Sequence, residues 1–198
     1  LLYARFADFF PGGFAGTGVP WDRLVNYLYT DVNSLFGLPL AVTATIVLPY
    51  IFFGQALFAI GAGEYLTDLA VAMFGRFRGG PAKVAVVSSS LFGTISGSAV
   101  ANVAVDGPIT IPLMMRTGYK PTVAAAIEAV ASTGGQIMPP IMGAAAFIMA
   151  EILAIPYREV AVAAILPAVL YYVALFTQVD LEAGKMGLRG LSRQELPA

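Results

Sequence analysis

The sequence predicts an all-α integral membrane protein, in which transmembrane helices accompany one re-entrant helical hairpin and one broken helix. Hydrophobic residues make up 58% of the 198 residues and charged residues only 12%, against about 25% charged in soluble domains. Some apolar runs contain no charge and reach the roughly 20 residues that a membrane-spanning helix needs. Other apolar runs are interrupted by clusters of glycine, serine and proline. These three observations define the fold class.

The composition also excludes several kinds of chemistry. The chain has no cysteine and no histidine, which removes disulfides, histidine-dependent catalytic triads and most zinc sites. An intramembrane aspartyl protease needs two facing aspartates, and Asp106 is the only aspartate well inside an apolar run. We therefore expect neither an enzyme nor an organic cofactor, and the net charge of −1 gives no reason to expect a nucleic-acid partner.

The N-terminal third begins with a predicted periplasmic loop and interfacial helix, residues 1–35. Residues 11–20 are rich in glycine and proline and are typical of a loop. Residues 21–29 mix aromatic and charged side chains, which indicates a helix at the membrane interface or, equally, a helix packed within the loop. No signal peptide is expected. Residues 36–63 carry no charge and form the first predicted span, with a kink expected at Pro49.

Residues 64–80 are predicted to form a cytoplasmic amphipathic helix. Their apolar residues recur every three or four positions, and charged residues lie between them. This pattern is typical of a helix that lies on the membrane surface. An extension of the preceding span is the alternative.

The apolar region at residues 81–118 is predicted to be a re-entrant hairpin. Its centre, Phe92–Asn102, is rich in glycine and serine. Each flanking arm has roughly a dozen residues, which at about 1.5 Å per residue is too short to cross the membrane. We therefore expect both arms to enter and leave on the same side.

Residues 119–155 are predicted to form a transmembrane helix that is broken in the middle. Two glycines and two prolines fall within Thr133–Pro140, and both residue types disfavour a continuous helix. A simple kink is the alternative. Residues 158–180 form the next predicted span, within which residues 160–179 carry no charge, and residues 181–198 form a cytoplasmic tail.

The basic residues give this layout an orientation. If residues 36–63 run inward, eight of the eleven basic residues are cytoplasmic, as the positive-inside rule requires. These residues are Arg76, Arg78, Lys83, Arg116, Lys120, Lys185, Arg189 and Arg193. Arg5, Arg23 and Arg158 are then outside, and both ends of the hairpin are cytoplasmic. The first and last residues are interpreted as cut points of a longer protein.

Two breaks in apolar helices predict a binding site. An interrupted helix frees backbone N–H and C=O groups, each of which costs several kcal/mol if it stays unpaired in hydrocarbon. Helix N-termini suit a carboxylate, and unwound carbonyls suit Na⁺. Neutral oxygens at both breaks add to them: Ser96, Ser98, Asn102, Thr133 and Gln136. A serine and glycine packing seam between helices is the alternative.

Three acidic residues lie in or near the apolar regions. Acids within the membrane usually have a function. Glu128 is the better candidate for a buried role, because Glu151 is expected near the outer interface and Asp106 lies in the local helix breaker DGP. For Asp106 and Glu151 the favoured interpretation is a solvated or interfacial carboxylate.

Two segments resemble the large membrane domain of tripartite ATP-independent periplasmic (TRAP) transporters. They are SSLFGTISGSAVANVAVDGPITIPLMMRTGYK and AAAIEAVASTGGQIMPPIMGAAAFIMAE, preceded by GRFRGGPAK. The resemblance extends from Trp21 onward and is closest to the fused four-plus-twelve-helix type that works with TAXI-class binding proteins.

The resemblance implies a multi-pass permease of the bacterial inner membrane that moves substrate by an elevator mechanism. It implies symport of Na⁺ with small organic acids delivered by a periplasmic TAXI-type binding protein. A small four-helix membrane domain, fused or separate, would be a second partner, and membrane lipid would surround both. The family has a second, inverted half with its own hairpin, which this sequence lacks, so the chain would be the first half. A non-transporting structural or assembly subunit is the alternative function.

The resemblance also implies roles for individual residues. It assigns Na⁺ ligands to the hairpin tip and the helix break, namely Ser96, Gly97, Ser98, Asn102, Thr133, Gly134 and Gly135. It assigns substrate contacts to Ser98, Asn102, Gln136 and Pro139.

Overall fold

The computed structural model describes residues 2–31, 34 and 36–191, and all regular secondary structure in this part is helical. The all-α fold class is therefore confirmed for the described residues. The α-helices are α1 (Leu2–Phe6), α2 (Trp21–Thr30), α3 (Leu38–Val42), α4 (Leu48–Ala59), α5 (Ala62–Phe74), α6 (Gly80–Ser96), α7 (Ala99–Arg116), α8 (Pro121–Gly134), α9 (Ala144–Leu153) and α10 (Tyr157–Met186).

The chain divides into two compact units, residues 1–48 and 49–198. In the first unit, the stretch predicted as a loop contains one short 3₁₀ turn, Gly12–Phe14, and is otherwise non-helical up to α2. Helix α2 buries Leu24 and exposes Trp21. This amphipathic character suits a membrane interface and a packed loop helix equally, so both interpretations of α2 stay open.

The first predicted span is helical but irregular. A π-helical turn, Thr43–Val47, lies between α3 and α4 and directly precedes Pro49. Because proline lacks an N–H and its ring crowds the carbonyl four residues earlier, a helix widens or bends at this point. The distortion expected at Pro49 is therefore present as a π turn.

Within the described part of the chain, two helical stretches are long and apolar enough to cross a membrane, Leu40–Leu57 and Tyr157–Met186. They coincide with the two uncharged runs predicted as spans. Only 11% and 17% of their apolar windows are buried, whereas the core helix of a soluble protein is mostly covered. Their side chains therefore present apolar surface that needs lipid or further protein against it.

The second unit is built around α6. Small and medium side chains of α6, α7, α8 and α10 form one core, and the alanines allow the helices to approach closely. The buried members are Ala82, Ala85, Val86, Met114, Tyr119, Ala124, Ile127, Ala131, Tyr172, Val179 and Ala183. Helix α6 thus occupies the centre and contacts each of the other three.

Helix α5 packs against α6 through one face. Gly61, with φ of +90°, separates α5 from α4. The buried residues Gly63, Thr67 and Val71 recur every four positions, whereas Tyr65 on another face is 68% exposed. The predicted amphipathic pattern of residues 64–80 is therefore visible, and the helix is a separate element.

The hairpin is formed by α6 and α7, but its arms are longer than predicted. They contain 17 and 18 residues, and only Gly97 and Ser98 separate them. At about 1.5 Å per residue each arm measures about 26 Å, so the prediction of a dozen residues per arm was wrong. The glycine and serine residues near the tip lie within the helices, where small side chains allow close packing. The hydroxyl of Ser90 donates to the carbonyl of Val87 at 2.7 Å.

The predicted broken helix consists of α8 and α9. Helix α8 ends at Gly134, a 3₁₀ turn covers Gly135–Ile137, and α9 starts at Ala144. The interruption therefore covers residues 135–143, a few residues later than the predicted 133–140. The Pro139–Pro140 peptide bond within it is cis.

Helix α10 extends past the predicted end of its span to Met186, with Pro167 inside it. The following turn folds back, and the N–H of Leu191 donates to the carbonyl of Gly75 at 2.8 Å. Residues 192–198, including Arg193, lie outside the described part.

Both ends of the hairpin meet the C-terminal end of α10. A Cβ at Gly79 would collide with Ala183 and with the hydroxyl of Tyr119. Lys83 pairs with Asp180 at 2.6 Å, and Arg78 pairs with the same carboxylate. We call this group of contacts, formed by residues 75–83, Tyr119 and residues 180–191, the base of the hairpin.

Candidate functional site

The hairpin tip is a two-residue turn. Gly97 adopts φ of +58°, a left-handed conformation that favours glycine. The Oγ atom of Ser98 accepts a hydrogen bond from the N–H of Ala101 at 3.3 Å and so caps the N-terminus of α7. The N–H of Ser98 donates to the Oγ atom of Ser96 at 3.4 Å. The two serine hydroxyls therefore stabilise the turn itself.

The tip and the helix break contact each other through backbone atoms. A Cβ added to Gly93 would lie 2.5 Å from the Cα of Gly135, and one added to Gly97 would overlap the carbonyl of Met142. No side chain larger than hydrogen fits at either glycine without movement. The sequence expectation that the two breaks face each other agrees with these contacts.

Asn102 lies beside this contact with an oxygen that has no partner. Its side chain is fully buried, and its Nδ2 atom donates to the carbonyl of Ser89 at 2.9 Å. A Cβ at Gly135 would lie 3.2 Å from that Nδ2 atom. The Oδ1 atom is buried and makes no hydrogen bond. Such an orphan acceptor is rare and can bind a cation or a water molecule.

Ser96 and Ser98 border a different space. With Tyr50, Gln55 and other residues of α4 and α7, they line a cavity of about 120 Å³. Gly54 of α4 lies against the backbone of α6, since a Cβ there would be 3.6 Å from the carbonyl of Ile95. Gln55 was not predicted as a site residue, although an amide side chain within an uncharged span could have indicated it.

Two residues proposed from the break do not have the expected geometry. The hydroxyl of Thr133 is exposed and donates to the carbonyl of Ala129 at 2.7 Å. Gly134 keeps right-handed helical angles, with φ of −59° and ψ of −23°. A Cβ on it would lie 2.5 Å from Tyr171 and 2.8 Å from Tyr172. Glycine is thus needed here for ring packing rather than for turning a carbonyl inward.

The remaining predicted substrate residues lie on the rim of the break. Gln136 is exposed, and its backbone carbonyl accepts from the N–H of Gly143 at 2.7 Å. Pro139 is half-buried. Asn102 has no exposed surface.

Neutral oxygens of the kind that Na⁺ favours lie near the tip and the break. Asn102 supplies an unpartnered amide oxygen, and its Nδ2 atom lies beside Gly135. Among the predicted ligands, the structure therefore brings Asn102 beside Gly135, whereas Gly97 lies against the carbonyl of Met142. Ser96 and Ser98 line the cavity, and Thr133 is exposed.

Asp106 lies one turn further along α7 and is fully buried. The hydroxyl oxygen of Thr67 lies 3.1 Å from its Oδ1 atom and 3.0 Å from the carbonyl of Gly63, and the hydroxyl of Ser89 donates to its Oδ2 atom at 3.5 Å. The favoured interpretation of Asp106 as a solvated or interfacial carboxylate was therefore wrong. Its partners come from α5 and α6, which are distant in the sequence.

Glu128 of α8 is also fully buried, as predicted, whereas Glu151 of α9 is exposed. The hydroxyl of Ser132 donates to its Oε1 atom at 3.1 Å, and its Oε2 atom contacts the hydroxyl of Thr110 on α7. The two buried acids thus form a polar layer between the tip and the base of the hairpin.

Comparison with known families gives one match across almost the whole chain. Residues 2–198 match the family described as "Tripartite ATP-independent periplasmic transporter, DctM component". The match includes the tip, the break and both buried acids.

Individual relatives agree with this match. An uncharacterized protein, y4mL, of Sinorhizobium fredii is 34% identical over 126 residues, which is 63% of this chain and 30% of that protein. The isethionate TRAP transporter permease protein DctMQ of Oleidesulfovibrio alaskensis is 32% identical over 126 residues, 64% of this chain and 19% of its own. The C4-dicarboxylate TRAP transporter large permease protein DctM of Pseudomonas aeruginosa is 42% identical over 80 residues, 40% and 19% respectively. The chain thus spans less than a third of the length of these relatives.

Proposed function

The chain belongs to the DctM family of TRAP transporter permeases, and we propose that it supplies one half of the substrate-translocating domain of a Na⁺-coupled permease. The family consists of transporter components, which agrees with the expectation that the protein is not an enzyme. Membership also makes it an integral membrane protein. The bacterial inner membrane, with several passes, is the proposed location.

The observation that carries this proposal is the backbone contact between the hairpin tip and the helix break. Gly97 at the left-handed turn lies against the carbonyl of Met142, and Gly135 lies against Gly93 and beside the side chain of Asn102, whose Oδ1 atom is unpartnered. When bound, Na⁺ would be coordinated by oxygens of the tip and of the break and would hold these two segments together. No fixed charge is needed, so the ion can be released again in each cycle.

A re-entrant course of the hairpin is also part of the proposal. The hydroxyls of Tyr171 and Tyr172 donate to the carbonyls of Val130 and Ala131 at 2.7 and 3.0 Å, so the end of α8 lies beside the middle of α10. The tip lies further along, because Gly97 contacts the carbonyl of Met142, and Met142 packs with Val160 near the start of α10. The arms are nearly long enough to span, so the depth of the tip in the membrane decides between a re-entrant hairpin and two full spans.

The proposed substrates are small organic acids. Ser98 and Gln136 would contact the substrate at the mouth of the tip, and Pro139 would shape its wall. Ser98 lies at the N-terminus of α7, where free N–H groups favour an anion. Two relatives are named for C4-dicarboxylate and for isethionate, which gives the first compounds to test.

The other components of the transporter are also part of the proposal. A periplasmic binding protein, of the TAXI type by the resemblance, would deliver the substrate. A small four-helix membrane domain would support an elevator movement, and an inverted second half would complete the site. The exposed apolar faces of α4 and α10 would contact these parts or lipid.

Uptake by the full-length permease tests this proposal. The protein would be reconstituted into liposomes with its binding protein, and entry of labelled C4-dicarboxylates and isethionate would be measured with an inward Na⁺ gradient. We expect uptake to require both Na⁺ and the binding protein. Equal uptake when K⁺ replaces Na⁺ would remove Na⁺ coupling, and transport without the binding protein would remove the tripartite arrangement.

A further inference from the structure

Glu128 lies where the second arm of the hairpin meets the broken helix. Its side chain is fully buried between α8 and α7 and packs on Gly107, where an added Cβ would be 3.7 Å from its Cγ atom. Its two carboxyl oxygens have separate partners, Ser132 on its own helix and Thr110 across the interface. Neither carboxyl oxygen therefore depends on solvent.

A single hydroxyl proton at this interface, that of Thr110, faces two acceptor atoms. Thr110 has one hydroxyl proton, yet its Oγ1 atom lies within hydrogen-bond distance of both the backbone carbonyl of Asp106, at 3.0 Å, and the Oε2 atom of Glu128. A carbonyl and a carboxylate are both acceptors. If Thr110 donates to the carbonyl, the contact with Glu128 needs a proton from Glu128 itself.

No cation compensates for a negative charge on Glu128. Among the described residues, no lysine or arginine pairs with it. Lys83 of α6 pairs with Asp180 at the base, and Arg116 at the end of α7 is exposed. Tyr172 of α10 uses its hydroxyl on the carbonyl of Ala131.

The remaining titratable groups nearby do not supply positive charge either. Asp106 is the acid beside it on α7, and Glu64 and Asp68 of α5, which packs on α6, lie on the exposed side of their helix. An ionised, unpaired carboxylate in such surroundings is strongly disfavoured, and a buried acid takes up a proton instead.

We propose that Glu128 is a proton-binding site of this permease. The proton sits on Oε2 and is donated to the Oγ1 atom of Thr110, which donates its own proton to the carbonyl of Asp106. This chain of two hydrogen bonds joins α8 to the hairpin arm α7. Loss of the proton would turn the hydroxyl of Thr110 from the carbonyl of Asp106 to the carboxylate and leave an uncompensated negative charge in the interface. Release is therefore favoured when water enters the interface or the two helices separate. Proton binding is thereby linked to the packing of the hairpin.

Infrared difference spectroscopy of the full-length permease tests this site directly, without any transported ion or substrate. The carbonyl stretch of a protonated carboxylic acid is resolved from that of a carboxylate. Wild-type protein at neutral pH should show a protonated-acid band that is absent in Glu128→Gln. The matched control is Glu151→Gln, which removes an exposed carboxyl and should leave the band unchanged. Identical spectra for wild type and Glu128→Gln in this region would overturn the proposal.

A second variant keeps the test valid if Glu128→Gln does not fold. Thr110→Val removes the acceptor of the proposed proton and leaves the carboxyl in place. The band should remain and move to higher frequency, as for an acid O–H that has lost its hydrogen bond. A band that does not move in Thr110→Val would contradict the assignment to a Glu128–Thr110 hydrogen bond. Because these readouts are independent of uptake, failure of the Na⁺ proposal would leave this one intact.

Discussion

The two ends of the hairpin are held in opposite ways. At the tip, glycines bring backbone against backbone, and Asn102 keeps an unpartnered oxygen in the contact. At the base, long side chains carry the contacts: Lys83 and Arg78 share Asp180. Backbone contacts tolerate almost no added volume. At the base, Asp180 keeps one cation when the other is removed, and an exposed pair such as that of Arg78 contributes little stability. The tip should therefore be intolerant of substitution and the base tolerant.

The tip and the layer of buried acids also suit different ligands. The tip offers neutral oxygens and no acid, which suits Na⁺, whereas Asp106 of α7 and Glu128 of α8 lie further from the tip. Hydroxyls surround both acids, so that layer can hold protons without the ion. Substitutions in the three regions can be compared in the same full-length permease.

The largest expected effect comes from adding one methyl group at the tip. Gly97→Ala places a Cβ against the carbonyl of Met142, whereas Gly187 has a similar left-handed φ of +66° and nothing within 4 Å of the added atom. Both variants bear a left-handed alanine, a cost of about 1–2 kcal/mol. We expect Gly97→Ala to abolish uptake and Gly187→Ala to retain it. Equal activities would show that the tip contact is not required.

The next effect concerns the ion. Asn102→Ala removes the orphan oxygen, and each 1.4 kcal/mol of lost binding raises the Na⁺ concentration for half-maximal uptake about tenfold. Thr133→Ala removes a hydroxyl that is exposed and bonded to Ala129, so its Na⁺ dependence should stay unchanged. The measurement is uptake as a function of Na⁺ concentration in proteoliposomes. A larger change in Thr133→Ala than in Asn102→Ala would contradict the assignment of the ion to the oxygen of Asn102.

Much of the chain layout is readable from the sequence because charge and helix breakers act locally. Uncharged runs mark both spans, and the cluster of glycine and proline marks the break near residues 135–143. The predicted arm lengths were wrong because glycine and serine occur both in turns and in closely packed helices. Near the tip they allow close helix packing, as at Gly93, and only Gly97 actually turns the chain.

The environment of the acids could not be predicted from the sequence. Asp106 is followed by glycine and proline, which suggested an exposed turn, yet it lies inside an intact helix. Its burial depends on Thr67, 39 residues away, and on Ser89, 17 residues away. The separation of Ser98 from Asn102 also follows from three-dimensional packing, because Ser98 faces the cavity that Gln55 lines.

Substitutions in the polar layer should have smaller effects than substitutions at the tip. Thr110→Val keeps the shape of the side chain but removes the partner of Glu128, and an unsatisfied buried polar group costs about 1–3 kcal/mol. Thr177→Val removes a hydroxyl that is exposed and bonded to the carbonyl of Val173 and should have little effect. Thermal unfolding in detergent measures the difference. Similar unfolding midpoints for the two variants would show that the layer contributes no stability.

The smallest effects are expected at the base, where Asp180 keeps one cation if the other is removed. The Lys83 side chain is 9% exposed and its Nζ atom lies 5.2 Å from the centre of the Phe176 ring, whereas the Arg78 side chain is 53% exposed. The hydrogen bond from Arg78 to Asp180, with the carboxylate charge, raises the pKa of the Arg78 guanidinium, so this side chain stays charged at any working pH. Salt screens exposed pairs more than buried ones. Arg78→Met should therefore lower the unfolding midpoint slightly in low salt and not at all in high salt. Lys83→Met removes the buried partner, so its lower midpoint should persist at both salt concentrations. Uptake should survive in both variants. Loss of uptake in Arg78→Met would show that the base, like the tip, has a function beyond holding the hairpin.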